Sequence, residues 1–373
     1  MRRPIRRERP AVNGRGPIRI ITSSYKDIPG RITVAGRPEV TVGLRSAGRL
    51  VIVWRSPGTT VMRNCLVHLI PILVWVSMCP AQPAFQVIPL GVKGGNDESN
   101  LSAYAVAVSG TDAYVCLDAG TLYFGLERAV ASQLFDGTVL DVLRNKIKGY
   151  LISHPHLDHI AGLILNSPDD SAKPIYGLPF CLNAIQEDYF NWKSWPNFGN
   201  QGVPPLLNKY RYVELSTEQE IPLEQTSMSV RAFPLSHAKP YQSTGFLIRH
   251  ADNYLLYLGD TGADAIEETY NLNRVWRAVG PLIAVGKLKA IFAEVSFPNA
   301  RPDRLLFGHL TPRLLMDEMK ALNQFAGGLR GFPLIITHIK PPTRSEDILR
   351  ELEELNELGL KIILAEQAKR LEF

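Results

Sequence analysis

His154-Pro155-His156-Leu157-Asp158-His159, followed by Ile160-Ala161-Gly162-Leu163, places three imidazoles and a carboxylate within six residues. The apolar run Gly149-Tyr150-Leu151-Ile152 just before it has the composition of a short buried strand, and the residues from Asp158 to Asn166 have that of a helix. Residues two apart in an extended chain share a face, so His154 and His156 point the same way. Asp158 and His159 fall in the first helical turn and can face a second ion close to the first. A strand end opening into a helix start is therefore a place for a metal pair.

Outward from this motif the chain alternates strands and helices. Phe85–Leu90 is a first strand, and Ala103–Ser109 and Ala113–Asp118 form a hairpin across Gly110-Thr111-Asp112. Helices are expected at Gly125–Phe135, Val139–Lys146 and Phe180–Tyr189. The Trp-, Pro-, Gly- and Asn-rich stretch Phe190–Leu207 has no period and is expected as a long loop or lid. Further strands are Tyr210–Leu215, Ser227–Leu235, Thr244–Arg249 and Tyr254–Gly259. Leu288–Ala293 and Leu334–Thr337 are short and mostly apolar, as in a sheet interior. Helices at Thr311–Phe325 and Arg344–Leu358 and a strand at Lys361–Ala365 complete the order. Two mixed sheets face to face with helices outside each, an α/β sandwich, would bury all of this in one domain.

Composition is that of a globular enzyme, 45% apolar and 21% charged over 373 residues. The net charge of +5 is unevenly spread. Residues 1–61 hold 13 of the 41 basic and 3 of the 36 acidic side chains, which leaves 28 and 33 for the rest and a balance of −5 there. That acidity argues against a nucleic-acid partner. Residues 1–61 are expected as a basic leader, disordered or untranslated, with Val51–Trp54 its one candidate strand. Met62-Arg63-Asn64, the 14-residue apolar core Cys65–Met78 and Ala81-Gln82-Pro83-Ala84 give residues 62–84 the anatomy of a secretory signal. The core is short of the ~20 residues that cross a bilayer, so no stable membrane span is expected. Residues 85–373 then form the main domain, periplasmic or secreted if translation starts at Met62; the other reading keeps the protein cytoplasmic. Cys116 and Cys181 lack partners at metal-ligand spacing and are expected as buried free thiols.

Eight histidines are present. His68 lies in the signal and His250 in a hairpin turn. The other six, His154, His156, His159, His237, His309 and His338, all end an apolar strand or follow one, as does Asp260. Strand ends on one rim of a sheet are where sites gather. Neutral imidazoles suit zinc, iron or manganese, and a carboxylate can bridge two cations. Two ions about 3.5–4 Å apart can activate a water and stabilise both oxygens of a phosphoryl displacement. Any one of these histidines alone is more often a core or surface residue; the hexapeptide cluster is what favours the joint reading.

This set of residues resembles the metallo-β-lactamase fold of binuclear hydrolases, a four-layer αββα sandwich. HPHLDHIAGLILNSP, from His154 to Pro168, resembles more closely the signature of the class II cyclic-nucleotide phosphodiesterases, as do Glu294-Val295-Ser296-Phe297-Pro298 and Phe307-Gly308-His309-Leu310-Thr311-Pro312. The resemblance covers about residues 85–373. It implies hydrolysis of a 3′,5′-cyclic nucleotide, cAMP and possibly cGMP, to the 5′-monophosphate by a metal-bridged hydroxide. It further implies two divalent ions, with zinc expected: one held by His154, His156 and His237, the other by Asp158, His159 and His338, and Asp260 bridging. His309, left without a metal role, is the candidate acid for the departing 3′ oxygen; the alternative is a partner to a ligand or a helix-start residue.

Weaker candidates remain open between function and structure. Glu294 can orient a ligand imidazole or face solvent. Thr244 and Gly245 can donate to phosphate or start a strand. Tyr189, Phe190, Trp192 and Trp195 can stack on a base or pack under the long loop, and Arg301 and Arg304 can meet phosphate or solvent. Two other functions compete with the leading one: a phosphodiesterase acting on RNA 3′ ends, and a metal-dependent nucleotide-binding module without catalysis.

Overall fold

A computed structural model describes residues 83–373 in full, together with the backbone of strands β1 (Arg31–Ile32), β2 (Val40–Arg45) and β3 (Arg49–Trp54). These three pair antiparallel in that order, so Val51–Trp54 is not a lone strand and this part of the leader carries regular backbone. The rest of residues 1–61, and the expected secretory signal up to residue 82, lie outside the described residues.

Parallel strands buried on both faces need continuous apolar runs, and the chain supplies them. The first sheet has the order β17 (Leu371–Glu372), β4 (Phe85–Gly91), β5 (Ala103–Val108), β6 (Tyr114–Leu117), β7 (Ile147–Leu151), β8 (Lys173–Gly177), β9 (Tyr210–Glu214). The second has the order β10 (Glu220–Pro222), β11 (Ser229–Ser236), β12 (Gln242–His250), β13 (Asn253–Leu258), β14 (Leu288–Glu294), β15 (Pro333–Thr337), β16 (Lys361–Leu364). Both are mixed: the first is antiparallel up to β6 and parallel from there, and the second changes at β13.

Side-chain alternation divides each strand between two layers. Tyr104, Val106, Ala290, Phe292 and Ile335 meet in the core between the sheets. Their neighbours Ala103, Ala105 and Ala107 face helices α1 (Tyr123–Ala131) and α3 (Leu157–Asn166). Ile291, Ala293, Leu334 and Ile336 face α6 (Asn271–Ala284), α7 (Pro312–Ala326) and α8 (Ser345–Glu354). The result is the four-layer αββα sandwich. Short helices α2 (Val139–Asp141), α4 (Pro179–Ala184) and α5 (Asp264–Glu267) fill its periphery.

Helix α7 begins where its caps say it should. The Thr311 hydroxyl accepts from the Leu314 N–H, Pro312 takes the first turn, and Gly327 closes the helix at φ 69°. Helix α6 has no counterpart among the expected elements. Its buried stripe Leu272, Val275, Trp276, Val279 has helical spacing, but Gly280-Pro281 inside it carries the composition of a break. Cys116 and Cys181 are buried free thiols. No helix among the described residues is long and apolar enough to cross a membrane.

One buried polar knot sits where β8 and β9 begin. Lys173 Nζ donates to Asp170 Oδ1 at 2.6 Å and to the Leu143 carbonyl at 2.6 Å, and the Tyr150 and Tyr210 hydroxyls donate to Asp170 Oδ2 at 2.6 and 2.8 Å. Burial lowers Lys173 despite that carboxylate. Removing one partner strands a charge in the interior, so Asp170→Ala should lower stability by about 3–5 kcal/mol. Urea unfolding should show this as a lower midpoint at unchanged slope; a loss within about 0.5 kcal/mol, ordinary for a surface change, would show that the knot is dispensable.

Candidate metal centre

Parallel and twice-antiparallel pairing makes β11, β13, β14 and β15 run the same way, so all four deliver their C-terminal ends to one rim. His237 follows β11, Asp260 follows β13, Glu294 ends β14 and His338 follows β15. In the other sheet, parallel β6 and β7 bring Asp118 and His154 to their own C-terminal ends. The hexapeptide bends from β7 into α3.

The seven proposed ligands converge as two donor sets. His154 Nε2 lies 3.1 Å from His156 Nδ1, which lies 3.3 Å from His237 Nε2. His159 Nε2 lies 3.0 Å from His338 Nε2, which lies 3.3 Å from Asp158 Oδ2. Asp260 stands between them. Its Oδ1 is 3.2 Å from both His159 and His338, and its Oδ2 is 3.8 Å from His154 and 3.9 Å from His237. Donors on one tetrahedral ion with ~2.0–2.1 Å bonds to nitrogen lie about 3.3 Å apart, which is the spacing within each set. Nitrogen, nitrogen and carboxylate donors in this arrangement fit divalent cations of the borderline class.

Each imidazole is turned by what its other nitrogen meets. His159 Nδ1 is 2.7 Å from Asp118 Oδ2, and His154 Nδ1 is 3.0 Å from the Ser153 hydroxyl, which itself donates to Asp118 at 2.8 Å. His237 Nδ1–H donates to the Gly308 carbonyl at 2.8 Å. His338 Nδ1 is 3.0 Å from the Ser296 hydroxyl, which donates to Glu294 Oε2 at 2.6 Å. His338 holds φ 60°, outside the usual range for a residue with a side chain, and its N–H donates to the Val92 carbonyl at 2.7 Å. Gly94 packs on the His338 ring so closely that a Cβ would stand 2.1 Å from it, and the Gly95 N–H donates to Asp158 Oδ2 at 2.8 Å.

Electrostatics separates the two sets. Burial, with the charge of His159 adding, lowers His154 well below the ordinary histidine range; burial also lowers His237 and brings His156 down to about 4. These rings are neutral with lone pairs aimed inward. Burial opposes the charged forms of His159 and Asp260 as well, but here it is outweighed. Asp260, Asp118 and Asp158 raise His159, while His159 and His338 lower Asp260. A proton on His159 and a cation would compete for the same lone pair.

His309 is buried beside this cage, its Nδ1 2.8 Å from Glu294 Oε1 and 3.7 Å from Asp260 Oδ2. Glu294 is buried rather than solvent-facing and touches His309 directly and His338 through Ser296. Burial, with Asp260 adding, pushes its carboxyl up to about 7. The weaker candidates separate. The Thr244 hydroxyl is committed to the Ser153 carbonyl at 2.8 Å, and Gly245 lies inside β12, so neither opens onto the cage. Phe190 is buried, the Tyr189 hydroxyl donates to the Pro155 carbonyl, and the Trp192 and Trp195 indoles donate to Pro205 and Ser167; these aromatics brace the long loop. Arg301 lies 4.7 Å over the Phe297 ring and donates to the Leu305 carbonyl, and Arg304 is exposed. Sequence reasoning missed Asp118, Ser153, Ser296 and the Gly94-Gly95 turn. Asp118, ending a strand, and Ser296, inside the Glu294–Pro298 stretch, carried a positional signal.

Two mixed sheets with histidines and carboxylates gathered at their strand ends define a metallo-β-lactamase-type sandwich. Solved structures agree: unliganded yeast PDE1 matches with TM-score 0.69 at 24% identity over 78% of this chain and 100% of that one. The metallo-β-lactamase fold protein YhfI from Bacillus subtilis matches with TM-score 0.54 at 16% identity over 78% and 99%. The family model for class II cAMP phosphodiesterases matches residues 138–368. A 3′,5′-cyclic-nucleotide phosphodiesterase of Aliivibrio fischeri is 41% identical over 329 residues, 83% of this chain and 99% of that protein. The chain belongs to the class II cAMP phosphodiesterase family.

Asp118 accepts from the Ser153 N–H, Ser153 and Tyr257 hydroxyls and His159 at 2.6–2.8 Å. Asp118→Asn removes acceptor capacity and should weaken metal retention about 10–100-fold. Competition against a chromophoric chelator measures it, and unchanged affinity would deny Asp118 an orienting role.

Proposed function

We propose that this chain hydrolyses 3′,5′-cyclic nucleotides, cAMP and also cGMP, to nucleoside 5′-monophosphates at the paired donor sets. Zinc is the proposed ion: His154, His156 and His237 would hold one, Asp158, His159 and His338 the other, with Asp260 shared. The observation that carries this reading is the division of one buried carboxylate, Oδ1 toward His159 and His338 and Oδ2 toward His154 and His237. When bound, such a cation pair supplies a nucleophile at neutral pH and neutralises charge on phosphoryl oxygens. Membership of the family and the match to the Aliivibrio fischeri enzyme support the substrate class.

The chain's own contribution to bond cleavage is assigned to His309. Hydrolysis adds water across the P–O3′ bond, and the departing 3′ oxygen needs a proton. With His309 Nδ1 engaged by Glu294, Nε2 is the nitrogen left to exchange one. Burial brings His309 down to about 4, so it rests neutral with Nε2 unprotonated, and the proton it passes to the 3′ oxygen would be one given up by the attacking water. An anionic phosphodiester beside it acts in the opposite direction, as Asp260 does already. Glu294 sets the ring's tautomer and offsets the charge it gains.

Residues 62–84 support export, which would place the enzyme in the periplasm or outside the cell. N-terminal sequencing of protein recovered from those fractions should begin at Phe85. Recovery of the uncut chain in the cytoplasmic fraction alone would reverse this assignment.

Purified protein should turn over cAMP and cGMP, lose that activity to a strong chelator and regain it with zinc. Full turnover in protein shown to be metal-free would end the proposal. His309→Ala should lower kcat about 10²–10⁴-fold with metal content retained. Loss of metal along with activity would make His309 a ligand instead of the acid.

A further inference from the structure

The cage has one open side. His154, His159, His237, Asp260 and His338 are buried, whereas His156 and Asp158 are half-buried. Leu157, between those two, is 61% exposed. Two aromatic side chains on neighbouring loops are exposed at the same rim. Tyr241 is 62% exposed, and its ring lies 5.7 Å from the His156 ring at an interplanar angle of 63°, an edge-type contact in which the two rings do not stack. Phe307 is 61% exposed.

Both aromatics are placed by the backbone that places the site. The Tyr241 N–H donates to the Ala238 carbonyl at 3.2 Å, and the His237 N–H donates to the Tyr241 carbonyl at 3.4 Å, so one turn fixes both residues. Phe307 holds φ 52° and precedes Gly308 at φ 75°. A Cβ on Gly308 would stand 2.1 Å from the Ala238 nitrogen, so the two loops touch. The Gly308 carbonyl accepts from His237, and His309 is the next residue. A bulky side chain in the left-handed region is disfavoured, and such conformations gather at functional sites. Single exposed apolar side chains need no explanation. Leu157, Tyr241 and Phe307 are three, all within two residues of a metal-ligand or acid candidate except Tyr241, whose ring reaches one.

We propose that Tyr241 is the platform on which the base of the cyclic nucleotide stacks, with Phe307 the second apolar wall. This rests on the cyclic-nucleotide reading above. The phosphodiester must enter the cage beside His156 and Asp158, and the base attached through the ribose then emerges at the rim, where the exposed Tyr241 ring lies. Aromatic stacking tolerates any base because every base has a π-face. Tyr241 therefore contributes affinity for adenine and guanine alike and does not separate them.

Tyr241→Ala should raise KM about tenfold for both cAMP and cGMP and leave kcat within about twofold. Tyr241→Phe should restore KM. The base-free substrate methyl β-D-ribofuranoside 3′,5′-cyclic phosphate should be cleaved equally by wild type and Tyr241→Ala. An equal loss on the base-free substrate would overturn the platform and assign Tyr241 to holding His237 and His156 in place. Unchanged KM for both nucleotides would overturn it too. Quenching of 2-aminopurine riboside 3′,5′-cyclic phosphate by the holoenzyme, lost in Tyr241→Ala, gives a readout independent of turnover. Wild type that quenches without hydrolysing leaves the platform standing and removes only the hydrolysis reading; wild type that hydrolyses cAMP with quenching intact in Tyr241→Ala removes only the platform.

Discussion

One carboxylate with five imidazole nitrogens around it governs this molecule. Asp260 is almost wholly out of water; Oδ1 looks toward His159 and His338, and Oδ2 toward His154, His237 and His309. A buried charge is tolerated only where opposite charge or donors surround it. Lone pairs aimed at a common point repel one another and attract a cation. The same geometry that makes the rim costly for the protein alone makes it a cradle for metal, and binding there should contribute to folding as well as to chemistry.

The cradle is built across the seam between the sheets. Asp118 and Ser153 come from the first sheet and its loops, whereas Tyr257 and Thr244 come from the second. The Tyr257 hydroxyl donates to Asp118 at 2.6 Å and the Thr244 hydroxyl to the Ser153 carbonyl at 2.8 Å. These bonds add direction to a contact between two halves whose shared core is apolar and nondirectional. Apolar packing sets the distance between the layers, and the polar pairs set their register at the rim. His159 is held from one side by Asp118 and faces Asp260 on the other, so an error in sheet docking would be felt first at the second donor set.

His309 and Glu294 differ from the ligands in kind. Glu294 ends β14 between two strands that each carry a ligand-bearing loop, and it touches His309 directly and His338 through Ser296. Coupling the proposed acid and a proposed ligand to one carboxylate means that a change of charge at either is felt at the other. The rim aromatics add no such coupling, because Tyr241 and Phe307 are placed by backbone turns and are exposed.

The order of strands and helices was legible wherever periodicity was clean and caps were explicit, as in Thr311-Pro312 or the apolar runs of β14 and β15. It failed at α6, where Gly280-Pro281 masks a helical stripe, because local propensity says nothing about the sheet that the stripe packs against. The candidate ligands were legible because ion pairs with their own geometry demand imidazoles and carboxylates at strand ends, and few sequences place seven there. What belongs to the tertiary structure alone is the split of Asp260 between two sets, the orienting contacts from Asp118, Ser153 and Ser296, the glycine turn against His338, and the open side at His156. These depend on distances between residues as far apart in the chain as Gly94 and His338, and a one-dimensional pattern of residue types carries no such distances.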